Sequence, residues 1–267
     1  MQEPKVSVIV TTYNREEYLK ETIQSILDQT YKDFELIVVD NFSNYDFFKV
    51  IEEFRDSRIR PFQNANNGII AVNRNYGISK ATGKYLAFCD DDDLWEKEKL
   101  SIQVEIMDRS PQQVLSSSFI EIDYESKIGK VHKIRDYKDK YDIYRENLTT
   151  LSSVIVSNSH DVIFNVDPYL MTIEDYALWI DLHQKGYELH VEPKPLIRYR
   201  ISSSSSFYNV DNLKKIAIRK IYLYSKMFLQ YPNVPIKEYI SSVFWNLRYI
   251  VVTIIKNGKL KIFFNRS

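Results

Sequence analysis

Short apolar runs that end in polar clusters alternate, along the first half of this chain, with stretches whose apolar residues recur at helical spacing. Val6-Ser7-Val8-Ile9-Val10 reads as a strand buried on both faces, and it breaks into Thr11-Thr12-Tyr13-Asn14. Leu19, Ile23, Ile26 and Leu27 then share one helical face, with Asn14 and Glu17 as a capping-box-like start. The unit repeats. Phe34 to Val39 is a second strand ending in Asp40, and a helical stretch follows near Phe47 to Phe54. Ile59 to Phe62 reads as a third strand, and Asn67-Gly68 opens a helix running to Ala81. Tyr85 to Cys89 is the next strand and runs into four consecutive aspartates, Asp90 to Asp93. This alternation predicts an α/β fold with a mixed, mostly parallel sheet flanked by helices.

Beyond Trp95 the pattern predicts a helix through Leu100, Val104 and Met107, then a strand from Val114 to Ile122. Gly129 to Asn147 is charged and irregular and reads as a variable loop. Glu174-Asp175 opens a helix with Tyr176, Trp179, Ile180 and His183 on one face and Gly186 past its end. Two strands, Tyr187 to Val191 and Leu196 to Ile201, lead to the serine run 202–206. Amphipathic helices over about 212–230 and 236–256 finish the chain, so a main domain over 1–207 and a helical extension over 208–267 are expected.

The polar clusters fall in one place. Thr12 to Asn14, Asp40 and Asp90 to Asp93 each follow the carboxyl end of a different strand, the edge at which open α/β sheets bind ligands. Four adjacent carboxylates repel one another unless a cation or hydrogen-bond donors offset the charge. Oxygen-only ligands favour Mg²⁺ or Mn²⁺, ions that commonly bridge carboxylates to phosphates. Composition narrows the partners further: Lys plus Arg equals Asp plus Glu at 36 each, so no global field recruits nucleic acid. The single cysteine, Cys89, sits inside an apolar run and reads as a buried hydrophobe, which with the absence of a signal-peptide core predicts a cytoplasmic protein.

These residues together carry a resemblance. Val6 to Arg15, the strand ending in Asp40, the Arg74-Asn75 pair, Asp90 to Asp93 with Trp95, and Glu174-Asp175 with Trp179 resemble, in order and spacing over about residues 5–205, family 2 glycosyltransferases, which are inverting enzymes of the GT-A fold. The resemblance implies a nucleotide diphosphate sugar donor, typically UDP-linked, and a glycan or lipid-linked glycan acceptor in bacterial surface polysaccharide synthesis. It implies that Asp40 accepts from the base, that Thr11, Thr12, Tyr13 and Asn14 line the same pocket, and that Arg74 lies near the nucleotide. Asp92 is the implied ligand of Mn²⁺ or Mg²⁺, with Asp90 on the metal, its water or the ribose, and Asp91 as an orienting residue beside the nucleotide sugar. Asp175, with Glu174 beside it, is the implied general base, since a single displacement needs one carboxylate to take the acceptor proton. Asp93 is expected to cap a helix starting at Leu94, with Trp95 in its first turn as a core residue.

The chain departs from the family pattern in three places. Asn41-Phe42-Ser43 stands where Asp-Gly-Ser is common, Ser202 where many relatives carry histidine, and 165–173 lacks a glycine-rich form. His160 is a candidate to replace the missing histidine. Two other readings compete: a nucleotidyltransferase, which lacks its Gly-rich, Lys-bearing phosphate loop here, and a non-catalytic carbohydrate- or nucleotide-binding protein on the same scaffold.

In the tail, Ile240, Val243, Phe244, Leu247, Val251 and Ile254 form an apolar stripe interrupted by Arg248 and followed by Lys256, Lys259, Lys261 and Arg266. Uncharged stretches there fall short of the ~20 residues a membrane crossing needs, so core packing or a basic helix lying on a membrane surface are the two readings. On the surface reading, removing everything after Tyr231 lowers the fraction recovered with membranes, and an unchanged soluble fraction refutes it.

Overall fold

The computed structural model describes residues 3–110, 113–201, 210–231, 234–241, 243–244 and 247–248. Its contacts divide the chain into two units, Met1–Lys138 with Leu148–Ile201, and Asp139–Asn147 with Ser202–Ser267.

The first unit opens with the predicted alternation: β1 (Val6–Thr12), α1 (Glu16–Leu27), β2 (Phe34–Asp40), α2 (Phe47–Glu52), β3 (Ile59–Gln63), α3 (Ile70–Lys80) and β4 (Tyr85–Asp90). Strands β1, β2 and β4 are buried along almost their whole length, which is why their sequences run as continuous apolar stretches rather than alternating. After β4 come β5 (Leu94–Trp95), α4 (Lys99–Arg109), β6 (Gln113–Ile122), β7 (Ile128–His132), β8 (Ile155–Ser157), α6 (Glu174–Gln184) and β9 (Glu188–Arg200). Among the described residues the sheet has nine strands in the order β3-β2-β1-β4-β8-β6-β9-β5, with β7 paired to β6. Strands β1 to β4 pair in parallel, β8 is antiparallel to β4 and β6, and β9 runs parallel to β6.

Four local expectations are corrected. Asn14 is not a capping residue: it takes a left-handed φ of 55°, and its Oδ1 accepts from Asn44 N at 2.8 Å, so the side chain ties two loops together instead of closing α1. Leu94 and Trp95 do not open a helix. They pair antiparallel with Arg198 and Ile197 of β9, and the helix starts at Lys99. Two residues cannot distinguish period 2 from period 3.6, so tertiary pairing decides. The two strands expected between Tyr187 and Ile201 are one strand, β9, whose Pro193 and Lys194 form an irregularity where Ser117 faces Glu192 and Ser118 faces Pro195. Within 129–147, β7 is a strand whose residues are almost all exposed, so it carries no apolar signature.

Among its described residues the second unit contains α5 (Asp142–Arg145), α7 (Val210–Gln230) and helical residues at 236–241, 243–244 and 247–248. Arg145 pairs with Glu238 at 2.8 Å, and Tyr239 donates to the carbonyls of Met227 and Tyr231, both at 3.2 Å. Ile240, Phe244 and Leu247 are exposed, so the core-packing reading does not hold for them; 249–267 and the serine run 202–206 lie outside the described residues. No helix among the described residues is long and apolar enough to cross a membrane.

Helix α3 lies against β1 because Gly77 has no side chain: a Cβ there would meet Ile9 Cγ2 at 2.7 Å. That close approach brings Arg74, one turn earlier, over the carboxyl edge of the sheet. Gly77→Ala is therefore expected to destabilise by about 1–3 kcal/mol through overpacking, read as a lower urea midpoint with an unchanged slope; an unchanged midpoint would mean that α3 moves away freely.

Candidate active site

Strand register brings the polar residues together. Thr12 lies beside Asp40, Thr11 beside Asp90, and Asp40 beside Gln63, so three neighbouring parallel strands and β3 deliver their terminal polar residues to one edge. Asp40 is fully buried, and burying a carboxylate requires hydrogen bonds. It receives them from Ser43 N at 3.0 Å, Ser43 Oγ at 2.5 Å and Gln63 Nε2 at 2.9 Å. Asn14 N in turn donates to Ser43 Oγ at 2.8 Å, so the loops after β1 and β2 are locked side by side. They leave Tyr13 and Phe42 as aromatics exposed by 54% and 58%. Phe42 holds φ at 56°, a left-handed conformation that costs a bulky residue energy and suits the glycine common in relatives.

The four aspartates point to different partners. Asp90 accepts from Arg74 Nη2 at 2.9 Å. Asp91 and Asp92 both pair with Arg15 Nη1, at 3.0 and 2.6 Å. Asp93 turns into the protein, where it accepts from Ser152 Oγ at 2.5 Å and from Arg200 N at 2.9 Å. It therefore organises the loop and β9, and the helix-capping role expected for it is not found. Burial raises its carboxyl well above the usual range, with Asp92 and Asp90 adding to the effect. Burial likewise pushes Asp91 up to about 6 against the opposing charge of Arg15. Asp92 is raised by burial and by Asp90, again against Arg15.

No group of three or more His, Cys, Asp or Glu side chains gathers around one point among the described residues. The donor set is nonetheless suited to a hard cation. Asp90 and Asp92 are partly exposed, all-oxygen, and close enough for the charge of one to raise the other. A site with one or two carboxylates, completed by substrate phosphates, matches how Mg²⁺ is usually held.

Arg74 joins this edge to α6. It is only 5% exposed and donates to Asp90 and, through Nη1 at 2.5 Å, to Glu174 Oε1, with Phe164's ring 5.4 Å from its guanidinium carbon. Burial works against its charge, but Asp90, Glu174 and Asp175 outweigh that and raise its pKa. A surface position for Arg74 is thus excluded, and Glu174 is held as its buried counter-ion. Asp175, the next residue in the first turn of α6, is partly exposed, and its Oδ1 accepts from Tyr176 N at 2.7 Å. Burial, with Glu174's charge, pushes its carboxyl up to about 7 against Arg74. A carboxyl titrating there is matched to accepting a proton near neutral pH.

Three contributors were given no role by the sequence. Arg15 pairs with the acidic loop, Ser152 links Asp93 to Asp90 N at 3.0 Å, and Arg200 Nε grips the carbonyl of Asp92 at 2.7 Å. Arg15 ends a recognisable stretch, but its partner Asp91 lies 76 positions away. His160 is 94% exposed on its side chain beside Asp161, and Ser202 lies outside the described residues.

The chain is also similar to known proteins. The sequence pattern of "Glycosyl transferase family 2" matches residues 7–165, and the chain belongs to that family. Its fold is GT-A. An uncharacterized glycosyltransferase of Methanocaldococcus jannaschii, MJ1057, is 32% identical over 92% of this chain and 86% of its own. The Escherichia coli UDP-Glc:alpha-D-GlcNAc-diphosphoundecaprenol beta-1,3-glucosyltransferase WfgD is 28% identical over 97% of this chain and all of its own. Among solved structures, S. aureus TarS 1-349 in complex with UDP-GlcNAc superposes with a TM-score of 0.64 at 22% identity, over 82% of this chain and 66% of that one. Pyrobaculum calidifontis PcManGT with GDP-Man and Mn2+ superposes at 0.66 and 15% identity, over 98% and 77%.

Arg74→Met would leave Glu174 and Asp90 without their shared counter-charge. Breaking a buried pair from one side costs about 3–5 kcal/mol, so equilibrium denaturation should show a loss of that size; a loss below about 1 kcal/mol would mean that solvent already shields Glu174.

Proposed function

We propose that this protein transfers one sugar from a nucleotide diphosphate sugar, a UDP-sugar, to a hydroxyl of a glycan acceptor, with inversion, in the synthesis of a surface polysaccharide. The observation that carries this reading is the bridge through Arg74: it couples the strand edge bearing Asp40 and Asp90 to the helix bearing Asp175. The names of WfgD and WfaP, which specify UDP-Glc and a diphosphoundecaprenol-linked acceptor, and the UDP-GlcNAc complex of TarS support the donor and acceptor classes.

In this reading the base of the donor lies over Thr11, Thr12, Tyr13 and Asn14. Its polar edge meets Asp40, joining or displacing the donors from Ser43 and Gln63. Asp92 and Asp90 hold Mn²⁺ or Mg²⁺, an assignment supported by the Mn2+ complex of PcManGT. That ion, when bound, offsets the charge that develops on the diphosphate leaving group. Asp91 and Asp93 shape the loop; Asp175 takes the proton of the acceptor hydroxyl, and Glu174 positions it through Arg74. The transferase domain is the one expected over 1–207. The extension over 208–267 meets the inner face of the cell membrane, a role supported by the exposed Ile240, Phe244 and Leu247.

Three measurements test the roles. Asp92→Ala should lose Mn²⁺-dependent UDP binding, whereas Asp175→Asn should keep it and lose transfer by about 10²–10⁴-fold; equal loss of binding in both variants would contradict the assignment. Transfer by the wild type should rise with pH through about 7, as Asp175 loses its proton. The sign for stability is opposite. An unfolded Asp ionises near pH 4 and the folded Asp175 near 7, so between those values the native state binds the extra proton and loses stability as pH rises. Asp175→Asn should remove that part of the slope, and an unchanged slope would show that Asp175 is not the raised group.

A further inference from the structure

The turn 13–15 places a guanidinium where the proposed metal would sit. Asn14 in its left-handed conformation turns the chain, Tyr13 N reaches Asp91 Oδ2 at 3.4 Å, and Arg15 Nη1 spans Asp91 and Asp92. Arg15 lies outside the helix that follows, as its first flanking residue, and makes no cap bond. Its side chain is 49% exposed, whereas those of Asp91 and Asp92 are 8% and 26% exposed. The carboxylates are therefore anchored in the fold, and the arginine is the partner free to leave: a long side chain reaching in from the surface can retract without unfolding anything.

We infer that Arg15 is a displaceable counter-ion that excludes a bare divalent cation from Asp92 and yields it only to a metal–nucleoside diphosphate complex. This rests on the proposed metal and donor site. Two consequences of charge support it. A free cation approaching Asp92 meets a guanidinium already bonded there and is repelled by it. A metal–nucleoside diphosphate complex is still an anion: its phosphate oxygens offer the guanidinium a new, geometrically matched acceptor, so the Arg15–Asp92 pair exchanges for an Arg15–phosphate pair as Asp92 turns to the metal. Charge on the acidic loop is compensated throughout, first by arginine and then by the ion. Arg15 is thus a donor-binding residue as well as a guard, and metal and nucleotide bind with strong mutual dependence.

The experiment is titration of Mn²⁺ by electron paramagnetic resonance, with and without UDP, on full-length wild type, Arg15→Ala, Arg15→Lys and Asp92→Ala. Arg15→Ala is expected to bind Mn²⁺ alone on the order of tenfold more tightly than the wild type, and to bind UDP in saturating Mn²⁺ more weakly. Arg15→Lys, which keeps the charge, should bind Mn²⁺ alone as the wild type does. If Arg15 merely orders the loop, Arg15→Ala binds Mn²⁺ alone equally or less tightly, and the inference is overturned. Mn²⁺ binding by Arg15→Lys that matches Arg15→Ala also overturns it, since charge is then not the cause. If Asp92→Ala keeps Mn²⁺, the metal assignment itself falls and the inference with it; if only Asp92→Ala behaves as expected, the assignment stands and the role of Arg15 falls alone.

Discussion

A buried arginine must be neutralised by partners that the fold itself supplies, because a desolvated guanidinium without counter-charge is far too costly to keep. Arg74 meets that requirement with Asp90, at the end of β4, and Glu174, at the start of α6 and 100 residues further along the chain. The remaining geometry follows from this pair of contacts. Asp90 stays at the sheet edge, Glu174 is drawn inward, and Asp175, the next residue, has its carboxyl pushed up to about 7 by burial and by Glu174's charge. Gly77 makes the arrangement possible by letting α3 settle onto Ile9. The sheet edge and the first turn of α6 are thus linked through one side chain.

The acidic loop illustrates how four identical residues acquire different duties. Their backbone course aims Asp90 at Arg74, Asp91 and Asp92 at Arg15, and Asp93 into the core. Asp93 is in effect a structural hydrogen-bond acceptor. With Thr22 and Ser152, it anchors the loop between α1 and β9. Arg200 completes the anchoring by gripping the carbonyl of Asp92 while its outer nitrogens hold Glu21 and the β6–β7 turn. Fixed from behind in this way, the loop leaves the carboxylates of Asp91 and Asp92 to Arg15.

The same logic explains what was legible from residue order. Buried parallel strands must be apolar along their length, so β1, β2 and β4 were visible as runs, and the polar residues that ended them were visible as one polar edge. Helix periodicity located α1, α3, α4 and α6 for a similar reason. Elements whose existence depends on a distant partner were not visible. Strand β5 is two residues long and exists through β9, and β7 is exposed and exists through β6. The left-handed turn at Asn14 resembled a helix cap because the residue types that favour the two are the same.

The sequence by itself determined the class of fold, the edge at which the polar residues gather and the residue types found there, because burial periodicity and the placement of acids after strands are local properties of the chain. It also carried enough of the family pattern to reveal the family. Tertiary structure alone decided how the charges pair. Arg15 could reach Asp91 and Asp92, Arg74 could reach Glu174, and Ser152 could reach Asp93 only after separations of 59 to 100 residues had been closed by strand register and helix packing. Electrostatic partnership depends on distance in space and on burial, and neither is written in the order of residues.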